Sequence, residues 1–154
     1  MNNPFMERAI ELAIKNVRSG SGPFGAVIVR NGEIIAEGTN RVTTSNDPTA
    51  HAEILAIRKA CAQAGSFELP GCEIYSSCEP CPMCLGAIYW ARPARVFFAS
   101  TAADASKAGF DDSFIYSEIS KPHAQRKIPM IQIMTEEARE VFRAWERQPN
   151  KVRY

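Results

Sequence analysis

The spacing of apolar residues predicts a helix followed by a hairpin of two strands. Between residues 5 and 17 the apolar positions recur three and four apart, as they do on one face of a helix. Residues 24–29 form a continuous apolar run rich in β-branched side chains, which favours a buried strand. The dipeptide Asn31-Gly32 is typical of a tight hairpin turn, so residues 33–38 are predicted to return as the second strand.

The rest of the chain alternates between strand and helix patterns. Asp47 and Pro48 predict a helix start, with Asp47 as the N-cap and Pro48 at the first helical position. Further strands are predicted over residues 72–76, 95–99 and 131–134, and further helices over residues 81–91, 102–107 and 135–147. A hairpin followed by alternating strands and helices favours an α/β fold, a three-layer α/β/α sandwich around a central mixed five-stranded sheet.

Length and charge narrow the class of protein. A chain of 154 residues fits one domain, residues 1–154, with a substantial core. The 18 basic and 17 acidic side chains give a net charge of +1, which argues against a nucleic-acid partner without excluding one. The sequence has no apolar signal core and no membrane-length run. We therefore interpret the five cysteines as thiols of a reducing compartment and expect a cytoplasmic protein without a membrane partner.

Two short segments carry the chemistry. His51-Ala52-Glu53 and Pro80-Cys81-Pro82-Met83-Cys84 match the pattern H-x-E…P-C-x-x-C of zinc-dependent deaminases. A catalytic zinc takes three protein ligands and leaves the fourth position to water. We predict Zn²⁺ as the cofactor, with His51, Cys81 and Cys84 as its ligands and Glu53 as the acid and base that moves protons during hydrolysis.

Other interpretations of the cysteines remain open from the residues alone. A structural zinc would need a fourth ligand, for which Cys78 and His123 are the candidates, and the protein would then be a zinc-stabilised interaction module. Cys78 also extends the run to C-x-x-C-x-x-C, which is a weak sign of an iron–sulfur cluster. The prolines on both sides of Cys81 and the order of elements favour catalysis, and a structural site has no use for Glu53.

Longer segments resemble one known family. Thr49-Ala50-His51-Ala52-Glu53 and the run from Cys78 to Cys84 resemble the cytidine deaminase superfamily. Within it the chain is similar to the small bacterial guanine deaminases over nearly its whole length. The segments that carry this likeness are Gly22-Pro23-Phe24-Gly25-Ala26, Asn46-Asp47-Pro48-Thr49, Gly86-Ala87-Ile88-Tyr89-Trp90-Ala91 and the run from Gly109 to Tyr116.

The resemblance implies conversion of guanine to xanthine and ammonia, and it implies roles for further residues. Asn40 would bind the base, Asp112 would accept from ring N–H groups and assist proton transfer, and Phe24 would form an apolar wall. It also implies a homodimer that exchanges residues 121–154, with Tyr154 closing the pocket of the other subunit. From the residues alone, Asn40 is equally a turn residue and Phe24 a core residue, and residues 151–154 are predicted to be a frayed tail. Asp112 is equally a solvated carboxylate, with Asp111 as its competitor.

Several substrates compete with guanine. The tRNA adenosine deaminases share the run from Asp47 to Glu53, although they are expected to have a basic surface for the anticodon stem. Guanosine, cytosine and amino-triazines would need only a differently shaped pocket.

Overall fold

A mixed β-sheet organises the computed structural model, which describes residues 2–154. Among these residues it has four strands, in the order β2-β1-β3-β4. The strands are β1 (Gly25–Arg30), β2 (Glu33–Thr39), β3 (Glu73–Cys78) and β4 (Arg95–Ser100). The first two form the predicted antiparallel hairpin, and β3 runs antiparallel to β1 and parallel to β4. Asn31 and Gly32 have φ values of 53° and 80°, which is the left-handed conformation that the turn requires.

Helices cover both faces of this sheet, as predicted. The helices are α1 (Pro4–Arg18), α2 (Val42–Ser45), α3 (Ala52–Ala64), α4 (Pro82–Ala91), α5 (Ala102–Lys107), α6 (Ser113–Ser120) and α7 (Thr135–Arg147). Side chains alternate between the two faces of β1, because its backbone is extended. Val27 and Val29 pack in a cluster with α1, whereas Ala26 and Ile28 pack in the cluster that contains α3. The predicted three-layer α/β/α architecture is thereby confirmed, although the sheet has four strands among residues 2–154 rather than the predicted five.

Two glycines bring helices unusually close to the sheet. A Cβ atom on Gly25 would lie 2.4 Å from the carbonyl oxygen of Ala9 in α1. A Cβ atom on Gly38 would lie 2.1 Å from the carbonyl oxygen of Ala52, in the first turn of α3. Neither position has room for a side chain, so each helix rests directly on a strand backbone.

The chain divides into two compact units. Residues 2–112 contain the sheet with α1 to α5, and Ser113–Tyr154 contains α6, a 3₁₀ helix at His123–Gln125 and α7. None of the helices between residues 2 and 154 combines the length and apolar character that a bilayer crossing needs. Exchange of residues 121–154 between subunits stays a prediction.

The structure corrects two details of the predicted elements. Residues 131–134 are not a strand, because they have no sheet partner among the described residues and Met134 has a left-handed φ of 53°. Asp47 does not cap a long helix. Its carboxylate instead accepts bonds from the backbone N–H and hydroxyl of Thr49, at 2.8 and 2.7 Å. This turn delays the helix start to Ala52.

Candidate active site

Two helix N-termini bring the predicted metal ligands together. His51 is the N-cap of α3, and Cys81 is the N-cap of α4 with Pro82 at the first helical position. Cys84 lies in the first turn of α4 and is fully buried. The N-cap residues His51 and Cys81 both have extended backbone, and their side chains lie at the N-termini of α3 and α4. The helix macrodipole favours the thiolate form of a cysteine at such a position.

The distances among these three side chains fit a zinc ion. Nδ1 of His51 lies 3.5 Å from Sγ of Cys81 and 3.5 Å from Sγ of Cys84. With Zn–S near 2.3 Å and Zn–N near 2.0–2.1 Å, a tetrahedral site needs an S···N separation of about 3.6 Å. All three ligand atoms lie within 4.8 Å of one another, and they are the only such group among the described residues.

The fourth ligand that a structural zinc would need is missing from this group. Cys78 is buried, and its thiol donates to the backbone carbonyl of Thr101 at 3.7 Å. Among residues 2–154 no other histidine, cysteine or acid joins the three ligands. The donor set is therefore that of a site with one open position, as catalysis requires.

Hydrogen bonds set the protonation of the thiols. The bond with Cys84, helped by His51, lowers the pKa of Cys81 to about 4, although burial opposes the change. The same bond and burial raise the pKa of Cys84. The pKa of His51 is raised, mainly by its bond to Cys81. Because zinc binds thiolates, both sulfur atoms would be deprotonated when they hold the ion.

Glu53 lies beside the ligands with its carboxylate buried. It is only 6% exposed, and burial raises its pKa. Ser76, on β3, donates to Oε1 at 3.1 Å, and Sγ of Cys84 lies 3.5 Å from Oε2. A buried carboxylate whose pKa is raised can accept and return a proton near neutral pH.

A cleft of about 790 Å³ opens onto these groups within the first unit. This volume is in the range of about 300–1,000 Å³ that small-molecule sites occupy. The predicted site residues that line the cleft are His51, Glu53, Cys81, Asn40, Phe24, Asp111 and Asp112. Cys84 does not line the cleft because it is fully buried, but its Sγ lies 3.5 Å from Nδ1 of His51, so the structure brings all predicted residues of the first unit together. Tyr154 belongs to the second unit, in the tail after α7.

Aromatic and acidic side chains form one wall of the cleft. The rings of Phe24 and Phe110 meet edge to face, with centroids 5.0 Å apart. Asp112 is half-buried and Asp111 is exposed. Desolvation, with the nearby charge of Cys81, raises the pKa of Asp112. The burial of Asp112 favours it over Asp111 as the acid that contacts a substrate.

Asn40 follows β2 with its side-chain amide fixed. It is 7% exposed, and its Oδ1 accepts from the backbone N–H of Val42 at 3.2 Å. Its own backbone N–H donates to the carbonyl of Phe24 at 3.1 Å. The amide NH₂ group is therefore the end that can donate to a ligand in the cleft.

Sequence reasoning missed two residues behind these groups. Ser76 holds Glu53, and Asn16 at the end of α1 donates to the carbonyl oxygens of Gly22 and Asn40. A serine inside an apolar strand was a usable signal for the first. An asparagine near a helix end gave no signal for the second, because such residues are common there.

Comparison with known proteins places this geometry in context. The profile of the cytidine and deoxycytidylate deaminase zinc-binding region matches residues 1–100. A guanine deaminase of Bacillus subtilis (strain 168) is 60% identical over 151 residues, which cover 97% of each chain. The X-ray structure of guanine deaminase from Bacillus subtilis matches with a TM-score of 0.96 and 59% identity, over 100% of this chain and 99% of that one. A tRNA-specific adenosine deaminase of Aquifex aeolicus (strain VF5) is 36% identical over 138 residues, 90% of this chain and 89% of its own.

Proposed function

The chain belongs to the cytidine and deoxycytidylate deaminase family, and we propose that it hydrolyses guanine to xanthine and ammonia. The observation that carries this substrate is the 60% identity to a guanine deaminase over 97% of both chains. The site geometry supports the reaction independently, since three ligands, an open position and a buried carboxylate are what hydrolytic deamination requires.

His51, Cys81 and Cys84 would hold the zinc ion through Nδ1 and the two sulfur atoms. When bound, zinc supplies Lewis acidity that makes water a nucleophile near neutral pH. Glu53 then takes the proton of the attacking water and delivers it to the ring nitrogen beside the reacting carbon. Glu53 next takes the proton of the hydroxyl group now bound to the ring carbon and delivers it to the exocyclic amine. The C–N bond then breaks, the ring carbonyl forms, ammonia leaves and Glu53 is a carboxylate again.

Three further side chains would position guanine. The NH₂ group of Asn40 is a donor and suits an acceptor on the base, such as O6 or N7. Asp112 would accept from ring N–H groups. Phe24, braced by Phe110, would lie against the flat ring and exclude water.

The test is release of ammonia from guanine, guanosine, adenine, cytosine, cytidine, an amino-triazine and a tRNA anticodon stem-loop. We expect turnover of guanine, with adenine and cytidine inert. A site built to hydrogen-bond one edge rejects bases that leave its buried groups unpaired. Adenosine deamination in the stem-loop with guanine inert would instead make the protein a tRNA deaminase.

The role of Glu53 is tested by Glu53→Gln, with Glu33→Gln in the exposed hairpin as the matched control. Glu53→Gln should keep one zinc per chain and lose turnover, because the amide cannot carry the proton. Glu33→Gln should keep both zinc and activity. Substantial turnover by Glu53→Gln would show that another group moves the proton.

We further propose a homodimer that exchanges residues 121–154, with Tyr154 of each subunit closing the other cleft. Large apolar side chains support this: Ile131 is 81% exposed, Phe142 on α7 is 70% exposed, and Phe98 on the edge strand β4 is 47% exposed. Such surfaces favour burial against a second copy. Lys151 donates to the carbonyls of Glu146 and Gln148, which folds the tail back on the end of α7.

Light scattering and truncation test the exchange. The full chain should scatter as a dimer, and removal of residues 151–154 should leave a zinc-loaded dimer with strongly reduced guanine turnover. A monomer, or a truncated protein with full activity, would refute this part of the proposal.

We propose a cytoplasmic location as well. All five cysteines are free thiols in the structure, which supports a reducing compartment.

A further inference from the structure

We propose that Asn16 is a positioning residue for the substrate, because it holds the backbone that presents the Asn40 amide to the cleft. This inference rests on the proposed function, in which Asn40 donates to the base. Asn16 itself does not line the cleft. It would therefore act only through Asn40.

The amide of Asn16 joins two segments that are far apart in sequence. Its Nδ2 donates to the carbonyl of Gly22 at 2.7 Å and to the carbonyl of Asn40 at 2.8 Å. Its own backbone carbonyl accepts from the N–H of Ser21 at 3.1 Å. Helix α1, the glycine-rich loop after it and the residue after β2 are thus fixed to one another by a single side chain.

The loop held by Asn16 lies directly against the Asn40 amide. A Cβ atom on Gly22 would lie 2.9 Å from Oδ1 and 3.0 Å from Cγ of Asn40. Val42 holds Oδ1 from the other side through its N–H. The amide is therefore confined on both sides, and only its NH₂ group is left without a protein acceptor among residues 2–154.

Loss of this positioning should be measurable as a reduction in kcat/KM. A hydrogen-bond donor displaced by about 1 Å from its productive place can reduce the rate by about 100-fold. Loss of both bonds from Asn16 frees the carbonyl of Asn40 and the loop at Gly22 to shift. We therefore expect Asn16→Ala to reduce kcat/KM for guanine by about 10- to 100-fold, with zinc content unchanged.

A double-mutant cycle separates positioning from a general loss of structure. Asn16→Ala, Asn40→Ala and the double variant are assayed with guanine, and zinc content and Tm are measured for each. If Asn16 acts through Asn40, then Asn16→Ala should change kcat/KM less than about twofold once Asn40 is alanine. The matched control is Ser19→Ala, which removes an exposed hydrogen bond to a backbone carbonyl at the same helix end and should leave kcat/KM unchanged.

Two results would overturn the inference. One is no loss of kcat/KM in Asn16→Ala, and the other is an equal loss in both backgrounds. If Asn16→Ala does not fold, Gly22→Ala perturbs the same amide from the loop side and enters the same cycle. Additive effects of Gly22→Ala and Asn40→Ala would then refute the positioning.

The proposed function can fail separately. If the wild-type protein deaminates another base but not guanine, the cycle is measured with that base. Coupling between Asn16 and Asn40 there would support the positioning role while guanine is rejected as the substrate. If the wild type deaminates none of the compounds, both proposals are wrong.

Discussion

Gly38→Ala should displace the N-terminus of α3, which carries active-site residues, although Gly38 itself is outside the cleft. Gly38 is buried on β2 and has no contact with the cleft, but its Cα faces the first turn of α3. The added Cβ would lie 2.1 Å from the carbonyl oxygen of Ala52 and 2.8 Å from the backbone nitrogen of Ala56. Ala52 lies between His51 and Glu53, so any retreat of this turn moves both.

The magnitude follows from these distances. A carbon and a carbonyl oxygen normally approach to about 3.3–3.6 Å, so α3 or β2 must shift by about 1.2–1.5 Å. Overpacking costs typically about 1–3 kcal/mol, and backbone atoms cannot rotate away as a side chain can. Replacing glycine in a strand returns about 0.5–1 kcal/mol. Because the clash is with backbone, we take the upper end of the overpacking range, about 3 kcal/mol. The net loss is then about 2 kcal/mol, or a Tm lower by roughly 4–8 °C.

The assay compares Gly38→Ala with Gly86→Ala, the same substitution in helix α4. A Cβ on Gly86 meets no atom within 4 Å apart from the nearby backbone of its own helix, so alanine there should stabilise by about 0.5–1 kcal/mol. Gly38→Ala should also lose roughly 100-fold in guanine turnover, because His51 and Glu53 move together. A Gly38→Ala protein with the Tm and turnover of the wild type would refute the reasoning.

Two further variants test single interactions. Ser76→Ala should lower kcat by about fivefold with zinc retained, because Glu53 loses a hydrogen bond worth about 1 kcal/mol. An unchanged kcat would show that Ser76 does not orient the carboxylate of Glu53. Glu37→Gln should destabilise the protein by about 0.5–1 kcal/mol at pH 7, since Arg8 binds both oxygens of Glu37 and holds its pKa below the ordinary 4.5. That stability is present above pH 4.5 and is lost as the pH falls through the lowered pKa, so urea titrations of the wild type and Glu37→Gln should converge in acid. A constant difference between them would exclude the ion pair as the cause.

Local patterns predicted most of the fold. The hairpin turn at Asn31-Gly32 and the final helix, predicted over residues 135–147 and observed at Thr135–Arg147, are where the sequence predicted them. Such elements depend on spacing and turn chemistry within a few residues, which the sequence displays directly. The candidate ligands His51, Cys81 and Cys84 were predictable for a similar reason, because they lie in two short motifs whose spacing the sequence displays directly.

Elements that depend on distant partners were harder to predict. Asp47 and Pro48 have the composition of a helix start, yet the Asp47 carboxylate closes a turn with Thr49. The run at residues 131–134 has strand character, but a strand exists only where a neighbouring strand supplies hydrogen bonds.

The residues behind the site were the least predictable, because their value lies entirely in long-range geometry. Asn16 is 24 residues from Asn40, and Ser76 is 23 residues from Glu53. An asparagine at a helix end and a serine in a strand acquire a role only after the sheet has brought their targets within 3.1 Å. The two short motifs therefore identify the chemistry, whereas the packing of helices on the sheet determines how accurately the reacting side chains are positioned. Gly38 belongs to neither of the two motifs, yet a methyl group there would move the turn that carries His51 and Glu53. We therefore expect Gly38→Ala to reduce turnover as much as a substitution within the cleft.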